Sequence, residues 1–383
     1  LIKVNEVIAF REVILFLYAL NYLFSAALMY NGLEKFQFYP MKLDEETYFT
    51  YTIPAVLLLH VGVYRIPTFI FAPKPEVMKR YAFFSVQHLK IVIVGGILLR
   101  LFSFVLPAEL AFLAYLISLL RYIGAFGLMV LDIKKNSYWI AAVYLFEISQ
   151  ALAAGMFHDM VMWLFFTGLL LAYLLKPSMS QKISFLLVGV IAVFILQLTK
   201  SEYRSNLHKN ESGVAVFAES VSNVKGKNEK GFFTKENFAQ SLTRVNQGWI
   251  LASTVHNMDR RKDFQRWELL KIYAEAAFLP RFLAPNKLKA GDKEIFNKYS
   301  GQKIDADTSM GLGIMADGYV SFESKGLWGA ALLYGLIFAL IFKRVEKWAY
   351  YSPFFVFLIF PILNYAIRPD CETQVTLGHI VKS

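Results

Sequence analysis

The chain has 383 residues, 56% of them apolar and only 18% charged, with 35 Phe, 21 Tyr and a formal net charge of +11. Soluble domains run closer to 45–50% apolar and 25% charged. The composition therefore excludes a disordered chain, a collagen-like fibre and a disulfide scaffold, and Cys371, the single cysteine, cannot form an internal disulfide.

The apolar residues fall in long blocks. About 20 of them are needed to cross a bilayer as a helix. Nine blocks meet or approach that length: Val7–Tyr30, Tyr51–Phe71, Tyr81–Val105, Ala108–Leu131, Tyr138–Met156, Met160–Leu175, Ile183–Lys200, Leu327–Phe342 and Tyr351–Arg368. The first is too long for a cleaved signal peptide, and similar segments follow it. The expected fold class is thus all-α, a polytopic membrane protein with about nine or more spans and one large outward-facing loop.

Basic residues in short loops set the orientation. With the N-terminus inside, the cytoplasmic side collects Lys3, Arg11, Lys74, Lys79, Arg80, Lys134, Lys135, Lys176, Lys182, Lys343, Arg344 and Lys347. The short outer turns are poor in Lys and Arg; that near Phe157 has none. Three segments follow: a bundle of seven helices over 1–200, a periplasmic or extracellular loop over 201–325, and two further spans over 326–383. No initiator Met opens the chain, and the tail RPDCETQVTLGHIVKS reads as the start of another membrane segment.

The loop over 201–325 holds 19 of the 40 basic residues against 15 acidic ones. Long loops escape the positive-inside rule, so this excess asks for an anionic partner, headgroups or substrate. Outward placement argues against nucleic acid. Residues 201–237 read as linker with a helical stretch near Val214–Val221. From Asn237 to Leu283 the apolar positions recur at helical spacing: Phe238, Leu242, Val245, Trp249, Ala252, then Trp267, Leu270, Tyr273, Ala274, Ala277. Arg244, Arg260, Arg261, Lys262, Arg266 and Lys271 fill the other faces, so these helices either lie along the membrane surface or cap the bundle.

Residues 281–329 are dense in Gly and Asp. Arg281, Lys287 and Lys289 suit a diphosphate, because cationic donors match phosphate oxygens. Asp305, Asp307 and Asp317 offer carboxylates for a sugar hydroxyl or for base work. Within the spans, Arg121 and Glu147 are costly charges that either pair with each other or meet substrate. Arg100 and Arg368 lie near outer helix ends. His158 and Asp159 share a short turn but are not diagnostic. There is no HExxH, paired CxxC, Walker A or Rossmann pattern, and no cofactor or metal is expected.

Two motifs, LPRFLAPNK at Leu279–Lys287 and TSMGLGIMADGYVSFESKG at Thr308–Gly326, together with the apolar helix that follows, resemble the O-antigen polymerase family of oligosaccharide repeat-unit polymerases. Asp317 takes the family's acidic place and Tyr319 its aromatic place, while Ser321, Phe322 and Glu323 replace its last turn. Relatives have ten or more spans, which implies further sequence beyond Ser383. The resemblance implies glycosyl transfer from a polyprenyl-diphosphate-linked oligosaccharide on the outer face of the inner membrane. Membrane lipid, a flippase and a chain-length regulator are the implied partners. For such a reaction Arg281, Lys287, Arg244 and Arg121 are the expected diphosphate ligands, and Asp317 then His256 the expected base. A lipid-linked glycan ligase, a transporter and a non-catalytic scaffold are the competing readings.

Overall fold

The computed structural model describes residues 3–33, 39–68, 75–80, 86–207, 213–227, 232–279, 284, 286–288, 291, 293–304 and 310–383. The described residues are helical, with no β-strand among them.

Among the described residues six helices are long and apolar enough to cross a membrane: Phe10–Tyr30, Glu45–Tyr64, Leu110–Asp132, His158–Leu175, Met179–Leu207 and Ile314–Tyr351. Nine spans were expected. The expected third is the helix Val86–Phe102, 17 residues long. The fifth is Ser137–Ala154, whose Glu147 and Gln150 dilute its hydropathy. The ninth is not one helix: a 3₁₀ stretch, Pro353–Leu358, runs into the five-residue helix Ile359–Leu363. The tail expected to open a further span is the ten-residue helix Thr373–Lys382.

Local chemistry sets several boundaries. Glu45–Tyr64 starts six residues before the expected position because the Asp44 side chain caps it, accepting from the Thr47 amide at 2.8 Å. Glu45 and Glu46 then favour the positive end of the helix dipole. Helix Phe10–Tyr30 contains a π-helical turn, Leu20–Phe24, and Tyr48 Oη donates to the Tyr22 carbonyl there at 2.7 Å.

Helix Ile314–Tyr351 is two helices. Phe322 (φ −141°, ψ 33°) and Glu323 (φ 58°, ψ −148°) interrupt it. A Cβ on Gly318 would stand 2.5 Å from the Gly326 carbonyl oxygen and 2.7 Å from Ala330 Cβ. In a straight helix, residues eight apart are separated by about 12 Å. The chain therefore reverses at 322–323, and the short arm 314–321 folds back on the apolar arm that begins at 324. Only glycine at both positions permits this backbone approach. The sequence places the whole block up to Lys325 in the loop; the structure makes its last part a helical hairpin.

By contacts the chain divides into two compact units. One comprises Leu1–Ala9, Phe69–Ser241 and Val345–Pro361; the other comprises Phe10–Thr68, Leu242–Arg344 and Ile362–Ser383. In the first unit, Gly124 lets helix Leu120–Asp132 approach helix Val86–Phe102 closely: a Cβ there would lie 2.8 Å from the Leu89 carbonyl oxygen. Tyr122 and Trp163 stack at 3.7 Å between ring centroids beside Phe126 and Phe166. In the second unit Trp249 is buried and stacks on Tyr39 at 4.2 Å. Trp328 Nε1 donates to the Tyr51 carbonyl at 3.0 Å, joining helix Glu45–Tyr64 to the apolar arm.

Candidate functional site

Three short helices of the second unit converge on Asp317. The arm 314–321 carries Asp317 itself, helix Trp267–Phe278 supplies Tyr273, and helix Thr373–Lys382 supplies Thr373. Tyr273 Oη donates to Asp317 Oδ1 at 2.7 Å, and Thr373 Oγ1 donates to Oδ2 at 2.5 Å. The carboxyl group is buried. Burial first, and the Asp317 charge second, push the Tyr273 phenol well above its ordinary range, so Tyr273 stays a donor across the physiological range. Two further bonds orient this arm. Ser321 Oγ donates to the Asp317 carbonyl at 2.9 Å, and Tyr319 Oη donates to Asp259 Oδ1 at 2.7 Å.

A second carboxylate stands beside the first. Glu372, half-buried, lines a small pocket with Tyr273, Phe296, Gly311, Asp317 and Gln374, with room for about one water molecule. Its oxygens accept from the Gly291 amide at 2.8 and 3.0 Å and from Gln374 Nε2 at 2.7 Å. Thr373 borders an adjoining small pocket, lined also by Tyr18, Tyr334, Arg368 and Cys371. Arg368 holds Asp370 with two bonds, Nη2–Oδ2 at 3.1 Å and Nε–Oδ1 at 3.3 Å, the fork geometry of a bidentate pair. On the same terminal helix, burial pulls the His379 imidazole down to about 4, against the opposing pull of the Ile362 carbonyl.

The other expected site residues are distributed as follows. Lys287 Nζ donates to the carbonyls of Ala276 and Leu279, at 3.2 and 2.5 Å. It thereby caps the negative end of helix Trp267–Phe278. Arg244 and His256 are exposed on their helices, and Asp317 accepts from Tyr273 and Thr373 rather than from His256. Arg100, Arg121 and Glu147 belong to the first unit. There Arg121 Nη2 meets Glu147 Oε2 at 2.8 Å and the Tyr122 hydroxyl at 3.3 Å, while Nη1 donates to the Ser118 carbonyl and hydroxyl. The Arg100 guanidinium lies 5.3 Å from the Tyr115 ring centroid. Asp159 accepts from Tyr115 Oη at 3.1 Å. Arg281, Lys289, Asp305 and Asp307 lie outside the described residues. No group of three or more His, Cys, Asp or Glu side chains gathers to hold a metal among the described residues.

Tyr273, Glu372, Thr373 and Gln374 are the members that sequence reasoning missed. Tyr273 reads as one more apolar position of an amphipathic stripe. Glu372-Thr373 has the look of a helix start, an acidic residue then a hydroxyl, but the apolar residues that follow hid it inside an expected span.

Residues 17–363 match the family described as a domain of unknown function (DUF8712), and the chain belongs to that family. No curated protein and no solved structure matches the chain.

Proposed function

We propose that this protein is a membrane-embedded glycosyltransferase that polymerises polyprenyl-diphosphate-linked oligosaccharide repeat units. The observation that carries this reading is Asp317. It is the acidic residue of the polymerase-like Gly-rich segment, and it sits buried with both oxygens oriented by hydroxyl donors, on the short arm that folds back on an apolar helix. The reading takes the enzyme to be an inner-membrane protein of about nine spans, N-terminus cytoplasmic, with the 201–325 region on the outer side.

In the reaction a sugar hydroxyl of the acceptor unit forms a bond to the anomeric carbon of the donor. The bond from that carbon to the diphosphate oxygen breaks, and polyprenyl diphosphate leaves with the electron pair. The hydroxyl proton passes to a carboxylate. Each Asp317 oxygen keeps a second lone pair beyond its Tyr273 or Thr373 bond, which suits it to receive that proton. Charge growing on the leaving oxygen calls for fixed cations; Arg281, in the polymerase-like motif, and Arg368, which lines a small pocket with Thr373, are the candidates.

Purified protein given a lipid-linked repeat unit should release polyprenyl diphosphate and build a ladder of glycan lengths. Asp317→Asn should abolish both. A single joining event per acceptor would replace the polymerase with a ligase, and no release of diphosphate from any lipid-linked glycan would remove the glycosyltransferase reading.

A further inference from the structure

Helix Trp267–Phe278 has two apolar faces. Leu269, Tyr273, Ala276 and Ala277 are buried, Ala277 against Gly378 of the terminal helix. The opposite side carries Trp267, 72% exposed, and Phe278, 60% exposed, with Lys271 between them at helical spacing. A bulky apolar stripe turned away from the protein needs a cover.

Its position indicates which cover. The amides of Gln265 and Arg266 donate to the Val320 and Ser321 carbonyls at 3.0 and 3.1 Å, where the hairpin's short arm ends. Trp267 then packs edge-on against Phe322 at 5.0 Å. So the start of this helix is pinned to the bend from which the apolar arm 324–344 departs. That arm has 21 residues, a length of about 32 Å, enough for a hydrocarbon core of about 30 Å. Leu333 and Leu340, one heptad apart on it, are exposed, as lipid-facing residues of a span should be. The bend therefore marks a boundary between bilayer and water, and Trp267 stands at it. Around the ring, Arg260, Arg266 and Lys271 are exposed, against Glu268 and Glu275. Arg261 and Lys262 are already engaged by Asp263 and Asp259.

We propose that the stripe Trp267–Lys271–Phe278 is a membrane anchor seated on an anionic lipid surface. The rings enter the boundary between headgroups and acyl chains, where aromatic side chains are favoured. Arg266 and Lys271 meet lipid phosphate. The proposal is independent of the glycan-transfer reading, since it concerns only where this helix lies.

The test uses the full chain carrying Cys371→Ser and Trp267→Cys, labelled with bimane and placed in phosphatidylcholine nanodiscs with and without phosphatidylglycerol. A second label site on the same stripe, Phe278→Cys, guards against a folding defect at 267. The label should emit to the blue of its position in water. It should be quenched several-fold more by lipid-borne nitroxide than by aqueous iodide. Phosphatidylglycerol should deepen the nitroxide quenching, and Arg266→Glu with Lys271→Glu should cancel that gain. Iodide-dominated quenching at both sites overturns the proposal. So does shielding from both quenchers, which would mean that protein covers the stripe, and so does lipid contact indifferent to phosphatidylglycerol, which would remove the anionic partner.

Discussion

Arg121→Met should be among the most damaging single changes in the first unit. Arg121 is 2% exposed and donates four hydrogen bonds, one of them the 2.8 Å bond to Glu147, whose side chain is 9% exposed. Removing the guanidinium leaves Glu147 buried without its cation, and also strips a donor from Ser118 and Tyr122. Losing one partner of such a pair costs about 3–5 kcal/mol. Glu147→Leu alone should cost a similar amount for the mirror reason. The double variant Arg121→Met/Glu147→Leu removes both charges, and apolar replacement of a whole buried pair is often neutral. It should therefore recover most of the loss, a coupling of about 3 kcal/mol. A reporter in the same unit gives the assay: with Cys371→Ser and the buried Val143→Cys in every variant, a thiol-reactive dye reports exposure of position 143 as detergent-solubilised protein is unfolded by denaturant. A loss under about 1 kcal/mol for Arg121→Met, or a double variant no more stable than the worse single, would refute the pairing as a source of stability.

Two other perturbations test the second unit. His379 titrates near 4 when folded and near 6.5 when unfolded, chiefly because burial disfavours its charge. Between those values the unfolded chain holds the extra proton, so stability is fully present above pH 6.5 and falls as pH drops towards 4. The loss amounts to about 3 kcal/mol, and His379→Phe, which keeps a ring against Tyr365, should flatten that acid limb in denaturant titrations run across the range. Gly318→Leu should prevent the hairpin arms from closing, at a cost of about 1–3 kcal/mol or more. If the variant unfolds with wild-type midpoint, the close approach of Gly318 to Gly326 is not real.

The apolar blocks alone dictated the class of this molecule. A helix-length run of Leu, Ile, Phe and Val must be satisfied within itself in a bilayer, whatever surrounds it, so Phe10–Tyr30 or Met179–Leu207 is legible from composition. Amphipathic helices such as Gly248–Arg261 and Trp267–Phe278 were legible for the same local reason, since their periodicity is a property of the segment. The pairing of Arg121 with Glu147 was legible as one of two outcomes; only the register of helices 120–132 and 137–154 selected it. The Asp317 cluster was legible in its acidic member alone. Its donors come from 44 residues before and 56 after, and a phenol or a threonine carries no sign in sequence of what it will face. The reversal at Phe322–Glu323 was hidden too, because it is stabilised by Gly318 meeting Gly326 and by the Gln265 and Arg266 amides taking the carbonyls that the helix end leaves open. Burial demands that act within one segment are written in that segment. Those that need a partner from elsewhere in the chain exist only once the chain has folded.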